Sequence, residues 1–126
     1  PGKDFKGFQI MASHSDSPAF KIKENPEMEA AHCIKLNVEK YGGMICAPWF
    51  DRPLSIAGRL VVSEGSRLVS KLVNVDRDLV MIPNLAIHMN RQVNDGYAYN
   101  AQKDMLPVFG SLEAKGTFMS WQKQQV

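Results

Sequence analysis

His14-Ser15-Asp16 directly follows an alternating apolar segment, and its residue types could hold a metal ion. A neutral imidazole is a good zinc ligand, and a nearby carboxylate can fix its tautomer and orientation through the other ring nitrogen. The end of a strand is a rigid place from which to present such a ligand. The same residues also make an ordinary polar turn, with Asp16 bonding a backbone N–H ahead of Pro18. One His and one Asp fall short of the ligand set zinc prefers. The chain has no Cys-x-x-Cys, no His-Glu-x-x-His and no Gly-rich phosphate loop to supply a second cluster.

His88 is the second candidate. Leu85, Met89 and Val93 recur at helical spacing with Ala86 beside them, which predicts a short helix over 84–93. Asn84 would be its N-cap, after Pro83. His88 then falls on the polar face with Arg91, Gln92 and Asp95. A histidine there is usually solvated or locally bonded. Its functional alternative is a donor that polarises a carbonyl in a site completed by another part of an assembly. His32 precedes a strand and reads as surface. Trp49-Phe50-Asp51-Arg52-Pro53 sets an aromatic pair beside a charge pair, either a solvated turn or an interface anchor.

The elements that must position these residues are mostly strands. Alternation of apolar and polar residues predicts strands at 7–13, 19–23, 31–40, 56–62 and 67–73, with a short apolar strand at 79–82. In the 31–40 strand, Ile34, Leu36 and Val38 face inward. Asn25-Pro26 and Gly42-Gly43 read as breaks, and Ser63-Glu64-Gly65-Ser66 as a hairpin loop with glycine at positive φ. The expected fold is mainly β, a small antiparallel β-barrel or sandwich with one short α-helix. Residues 111–126, with Gly116 and a Gln-Lys-Gln-Gln end, are the least domain-like part.

Composition narrows the function classes. The chain has 126 residues, 44% hydrophobic and 22% charged, ordinary values for one globular domain with little room for a deep active site of its own. Lys and Arg number 15 against 13 Asp and Glu, a net charge of +2. That balance gives no general pull toward nucleic acid and argues against an oligonucleotide-binding barrel. No apolar run is long enough for a membrane span. The two cysteines, Cys33 and Cys46, are too few for a disulfide scaffold and read as free thiols in a reducing cytoplasm. Pro1-Gly2-Lys3-Asp4 has neither an initiator Met nor the apolar core of a signal peptide, so the chain is expected to be cut from something longer.

Four stretches in order go beyond a class. They are 12–18 (ASHSDSP), 38–43 (VEKYGG), 49–59 (WFDRPLSIAGR) and 82–91 (IPNLAIHMNR). Together they resemble the aspartyl aminopeptidase family of dizinc metallopeptidases, over about residues 7–108. The resemblance implies a catalytic α/β domain interrupted by an inserted β-rich domain that builds subunit contacts and lines the active-site entrance. On that basis 1–17 would be a strand and turn of the catalytic domain, 18–108 the inserted lid and dimerisation domain, and 109–126 a return segment or tail. His14 matches the first zinc ligand and Asp16 the carboxylate that orients it. His88 matches a histidine presented to a neighbouring subunit's active site, where it helps bind substrate and stabilise the tetrahedral intermediate. The resemblance further implies two zinc ions in the complete protein, a peptide substrate and a homo-oligomer. The family's bridging Asp, its Glu general base and its later ligands have no counterpart here. The segment alone is therefore expected to be inactive, with an incomplete metal site. The alternatives are a stand-alone binding module and a purely structural oligomerisation domain.

Overall fold

The computed structural model describes residues 6–15 and 17–124. Strand β1 runs Ala19–Ala30 and β2 runs Cys33–Tyr41; they pair antiparallel across the turn Ala31-His32. Four further strands follow: β3 at Pro53–Leu54, β4 at Ala57–Glu64, β5 at Arg67–Asn74 and β6 at Val80–Met81. Helix α1 spans Ala101–Asp104, β7 spans Val108–Ser111 and helix α2 spans Thr117–Gln124. One five-stranded sheet has the order β1-β2-β7-β6-β3, and β4-β5 form a separate two-stranded hairpin.

Strand β2 shows why the sheet forms. Ile34, Leu36 and Val38 are each only 1% exposed, while Glu39 and Lys40 are exposed. A period of two puts one apolar row on the core face, and each such side chain contributes about 2 kcal/mol by leaving water. Leu36 and Val38 meet Val80, Leu106 and Phe118, with Phe20 and Ile22 of β1 packed beside them. A second cluster joins Phe50, Ile82 and Met105. Gly110 lets the 3₁₀ turn Leu112–Ala114 lie close on β7, since a Cβ there would meet the Ala114 Cβ at 2.8 Å.

Several expectations change. The mainly β, antiparallel architecture is present, but the five-stranded sheet has β1 and β3 as open edges and does not close into a barrel. Asn25-Pro26 does not end a strand. The chain absorbs it as a register shift between Ile22 and Glu27 inside β1, the irregularity a residue without an N–H favours. The β4-β5 loop is tighter than expected, pairing through Glu64 and Arg67 with Gly65 at φ +62°. Residues 7–13 form no strand; Phe8, Ile10 and Met11 are exposed.

The helix expected over 84–93 is not formed. That stretch makes successive turns, with bonds from Met89 N–H to the Ala86 carbonyl (2.8 Å) and from Val93 N–H to the Asn90 carbonyl (3.3 Å). Asn84 accepts the N–H of the adjacent Leu85 instead of capping a helical turn. Leu85 and Met89 are 55% and 75% exposed, so most of their apolar surface stays unburied among the described residues. A helix this short depends on such burial. The helices form at α1 and α2, and α2 delivers Phe118 to the core at 0% exposure.

Candidate functional site

The aromatic–charged run is an internal anchor. The 3₁₀ turn Ala47–Trp49 closes through the Trp49 N–H on the Cys46 carbonyl at 3.0 Å. The Trp49 ring meets Phe20 edge-on at 5.0 Å, and Phe50 packs on Tyr99 at 4.9 Å. Phe50 is buried and pairs with Ile82 in a parallel bridge. These aromatics pack on the chain's own core, Phe50 buried and Trp49 half-buried. Arg52 Nη1 donates to the Pro48 carbonyl at 3.3 Å.

Asp51, between them, reaches the segment that bears His88. Its N–H donates to the Ile82 carbonyl at 2.9 Å, and its Oδ1 accepts the Asn84 N–H at 2.9 Å. His88 stands four residues past Asn84, exposed in the turn that follows. Its outward position was legible as a polar-face residue, although the helix that suggested it is absent.

A shallow cleft of about 200 Å³ opens beside the root of this segment, lined by Lys35, Phe50, Asn84, Tyr97, Lys103 and Asp104. Asp104 closes the loop before α1: its Oδ2 accepts the Asn100 N–H at 2.7 Å and the Tyr97 hydroxyl at 3.3 Å. The Asp104 charge, then desolvation and the hydrogen bond, hold the Tyr97 phenol above its usual value. Sequence reasoning took Asp51 only as part of a charge pair in a turn or interface anchor, and passed over Tyr97 and Asp104. The available signal was an Asp between an aromatic pair and Arg-Pro, a residue type that tolerates a left-handed turn.

His14 lies exposed in a segment without regular secondary structure. Asp16 lies outside the described residues. His32 sits in the β1-β2 turn, and Cys33 and Cys46 are half-buried free thiols. Among the described residues no three His, Cys, Asp or Glu side chains come together as a group that could hold a metal ion.

Residues 2–125 match the family described as aminopeptidase I zinc metalloprotease (M18). The chain belongs to this family. The M18 chain is 55% identical over 113 residues to a probable M18 family aminopeptidase 2 of Clostridium acetobutylicum, covering 87% of this chain and 26% of that protein. It is 44% identical to the protein of the same name in Pseudomonas paraeruginosa, over 84% of this chain and 25% of that one. It thus spans about a quarter of these relatives' length. Among solved structures, an Ape4 and Nbr1 complex matches with a TM-score of 0.74 and 37% identity, over 84% of this chain and 20% of that chain. A crystal structure of prApe1 matches with a TM-score of 0.67 and 28% identity, over 79% of this chain and 21% of that one. The zinc in the family's description does not fit the described residues of this segment taken alone, because they bring together no group of three His, Cys, Asp or Glu side chains, fewer than a tetrahedral site needs.

Proposed function

We propose that this M18 segment is the inserted β-rich part of a zinc aminopeptidase that removes N-terminal residues from peptides. In this reading 18–108 form the lid and subunit-contact domain, 1–17 come from the catalytic domain, and 109–126 are a return segment whose first strand and helix pack on the insertion. His14 is one metal ligand and Asp16 orients it, within a two-zinc site whose other ligands lie outside this segment. The protein assembles as a homo-oligomer. His88 of one subunit reaches a neighbour's active site and donates a hydrogen bond to the oxygen of the peptide carbonyl as charge develops there. Two free thiols suit a cytoplasmic setting. No helix among the described residues is long and apolar enough to cross a membrane.

The observation that carries this reading is the placement of His88. It is exposed on a segment fixed at its root by Asp51, flanked by exposed Leu85 and Met89 that have no partner surface among the described residues. Substituting His88→Ala in the full-length enzyme tests it. Turnover should fall strongly with assembly intact, as expected for a contact made in the transition state. Unchanged turnover would leave the segment a purely structural oligomerisation domain.

A further inference from the structure

The segment carrying His88 leaves the sheet through Ile82-Pro83-Asn84, and one residue holds both ends of that tripeptide. The Asp51 N–H donates to the Ile82 carbonyl, and the Asp51 carboxylate accepts the Asn84 N–H, each at 2.9 Å. Between these two points Pro83 has a fixed φ and no N–H to offer. Asp51 itself adopts φ +53°, a left-handed conformation in which Asp is among the better tolerated residues. Such a conformation persists where the surroundings over-determine it. Here Phe50 is buried against Ile82 on one side, and Arg52 bonds back to Pro48 on the other.

Beyond Asn84, the described hydrogen bonds of 85–96 are local. Leu85 N–H bonds Asn84 Oδ1, Met89 and Asn90 N–H bond the Ala86 carbonyl, Val93 bonds Asn90 and Asp95 bonds Gln92. These bonds shape the segment but do not aim it. Its root is tied to the fold at the Asp51 bracket, by a carboxylate bond to a backbone N–H of the stronger, charge-assisted kind.

We propose that Asp51 is a positioning residue for His88: it fixes the direction in which 85–90 leave the fold, and so the reach of the imidazole toward the neighbouring site. This rests on the role given to His88 above.

The test uses the full-length enzyme. Asp51→Gly tolerates the left-handed φ but removes the acceptor; Asp51→Asn tolerates it and keeps an oxygen acceptor. Asp51→Gly should lower kcat about 10- to 100-fold, the scale of a small misplacement of a reacting group, with a smaller change in KM and the same assembly mass by light scattering. Asp51→Asn should restore most of that loss. In a His88→Ala background, Asp51→Gly should lower kcat no further, because the two act as a unit. The proposal is overturned if Asp51→Gly keeps full kcat while His88→Ala is impaired. Equal losses from Asp51→Gly in both backgrounds, or breakdown of the assembly, would overturn it too. Full turnover in His88→Ala would overturn the role of His88 and this inference with it.

Discussion

Glu27 of β1 accepts the backbone N–H of Phe118 at 2.7 Å through Oε1, and its Oε2 accepts the Gly116 N–H. One strand side chain thus satisfies two donors at the start of α2, which otherwise have no intrahelical partner. Beside it, Lys115 bonds Glu29 at 2.8 Å. Phe118 then packs edge-on against Phe109 at 5.1 Å and stacks on Trp121 at 6.0 Å. Replacing Glu27→Ala should cost about 1–3 kcal/mol, because the part-buried Phe118 N–H loses its acceptor. Glu27→Gln should cost less. Chemical unfolding and amide exchange at Phe118 would measure both, and equal stability of Glu27→Ala and the parent would remove Glu27 from this role.

The β1-β2 turn is strained. Ala31 and His32 take φ +52° and +59°, the left-handed pair that a two-residue hairpin turn requires and that Asn-Gly supplies best. Non-glycine residues held there cost on the order of 1–3 kcal/mol each. The double substitution Ala31→Asn and His32→Gly should therefore raise stability by about 1 kcal/mol. The denaturation midpoint would report it as a shift to higher denaturant at unchanged slope.

Alkaline pH should weaken the fold from two places. The Tyr97 phenol is raised above 10.0, first by the Asp104 charge. Lys115 is raised above 10.5, first by its hydrogen bond to Glu29 and then by that residue's charge. In each case the unfolded chain gives up its proton before the folded one. The stability these groups add is complete below their ordinary values and is lost as pH rises through the raised ones. Asp104→Asn should move the Tyr97 titration, followed by phenolate absorbance, back toward 10.0. An unmoved titration would mean that the Asp104 charge is not its cause.

Sequence pattern reached as far as burial follows a single periodicity. Ile34, Leu36 and Val38 could be read from alternation because one face of β2 is buried along its length. The β4-β5 hairpin could be read because Gly65 marks its turn. The 84–93 periodicity misled for the opposite reason: Leu85, Met89 and Val93 have helical spacing, but Leu85 and Met89 stay mostly exposed, so among the described residues the stripe gains too little burial to offset a helix's entropy. Residues 7–13 misled likewise: Phe8 and Ile10 alternate but stay exposed and form no strand. Phe118 was hidden behind Gly116 and a polar end, since Leu36, Val38 and Val80 of its core cluster and the Glu27 that bonds its N–H, 91 residues earlier, are far off in the chain. His88 was legible as an outward residue, but Asp51 was not legible as its anchor, because a hydrogen bond across 33 residues leaves no periodic trace.

The measurement that bears most directly on the central claim is subunit complementation in the full-length enzyme. Subunits carrying His88→Ala and subunits carrying His14→Ala would each be prepared as inactive homo-oligomers, then dissociated and reassembled together. If His88 works in a neighbour's site, a mixed assembly pairs an intact His14 site with an intact His88 from the adjacent subunit, and peptidase activity returns. If the mixture stays inactive although mixed assemblies form, His88 does not act across the subunit boundary and the proposed role of this segment is wrong.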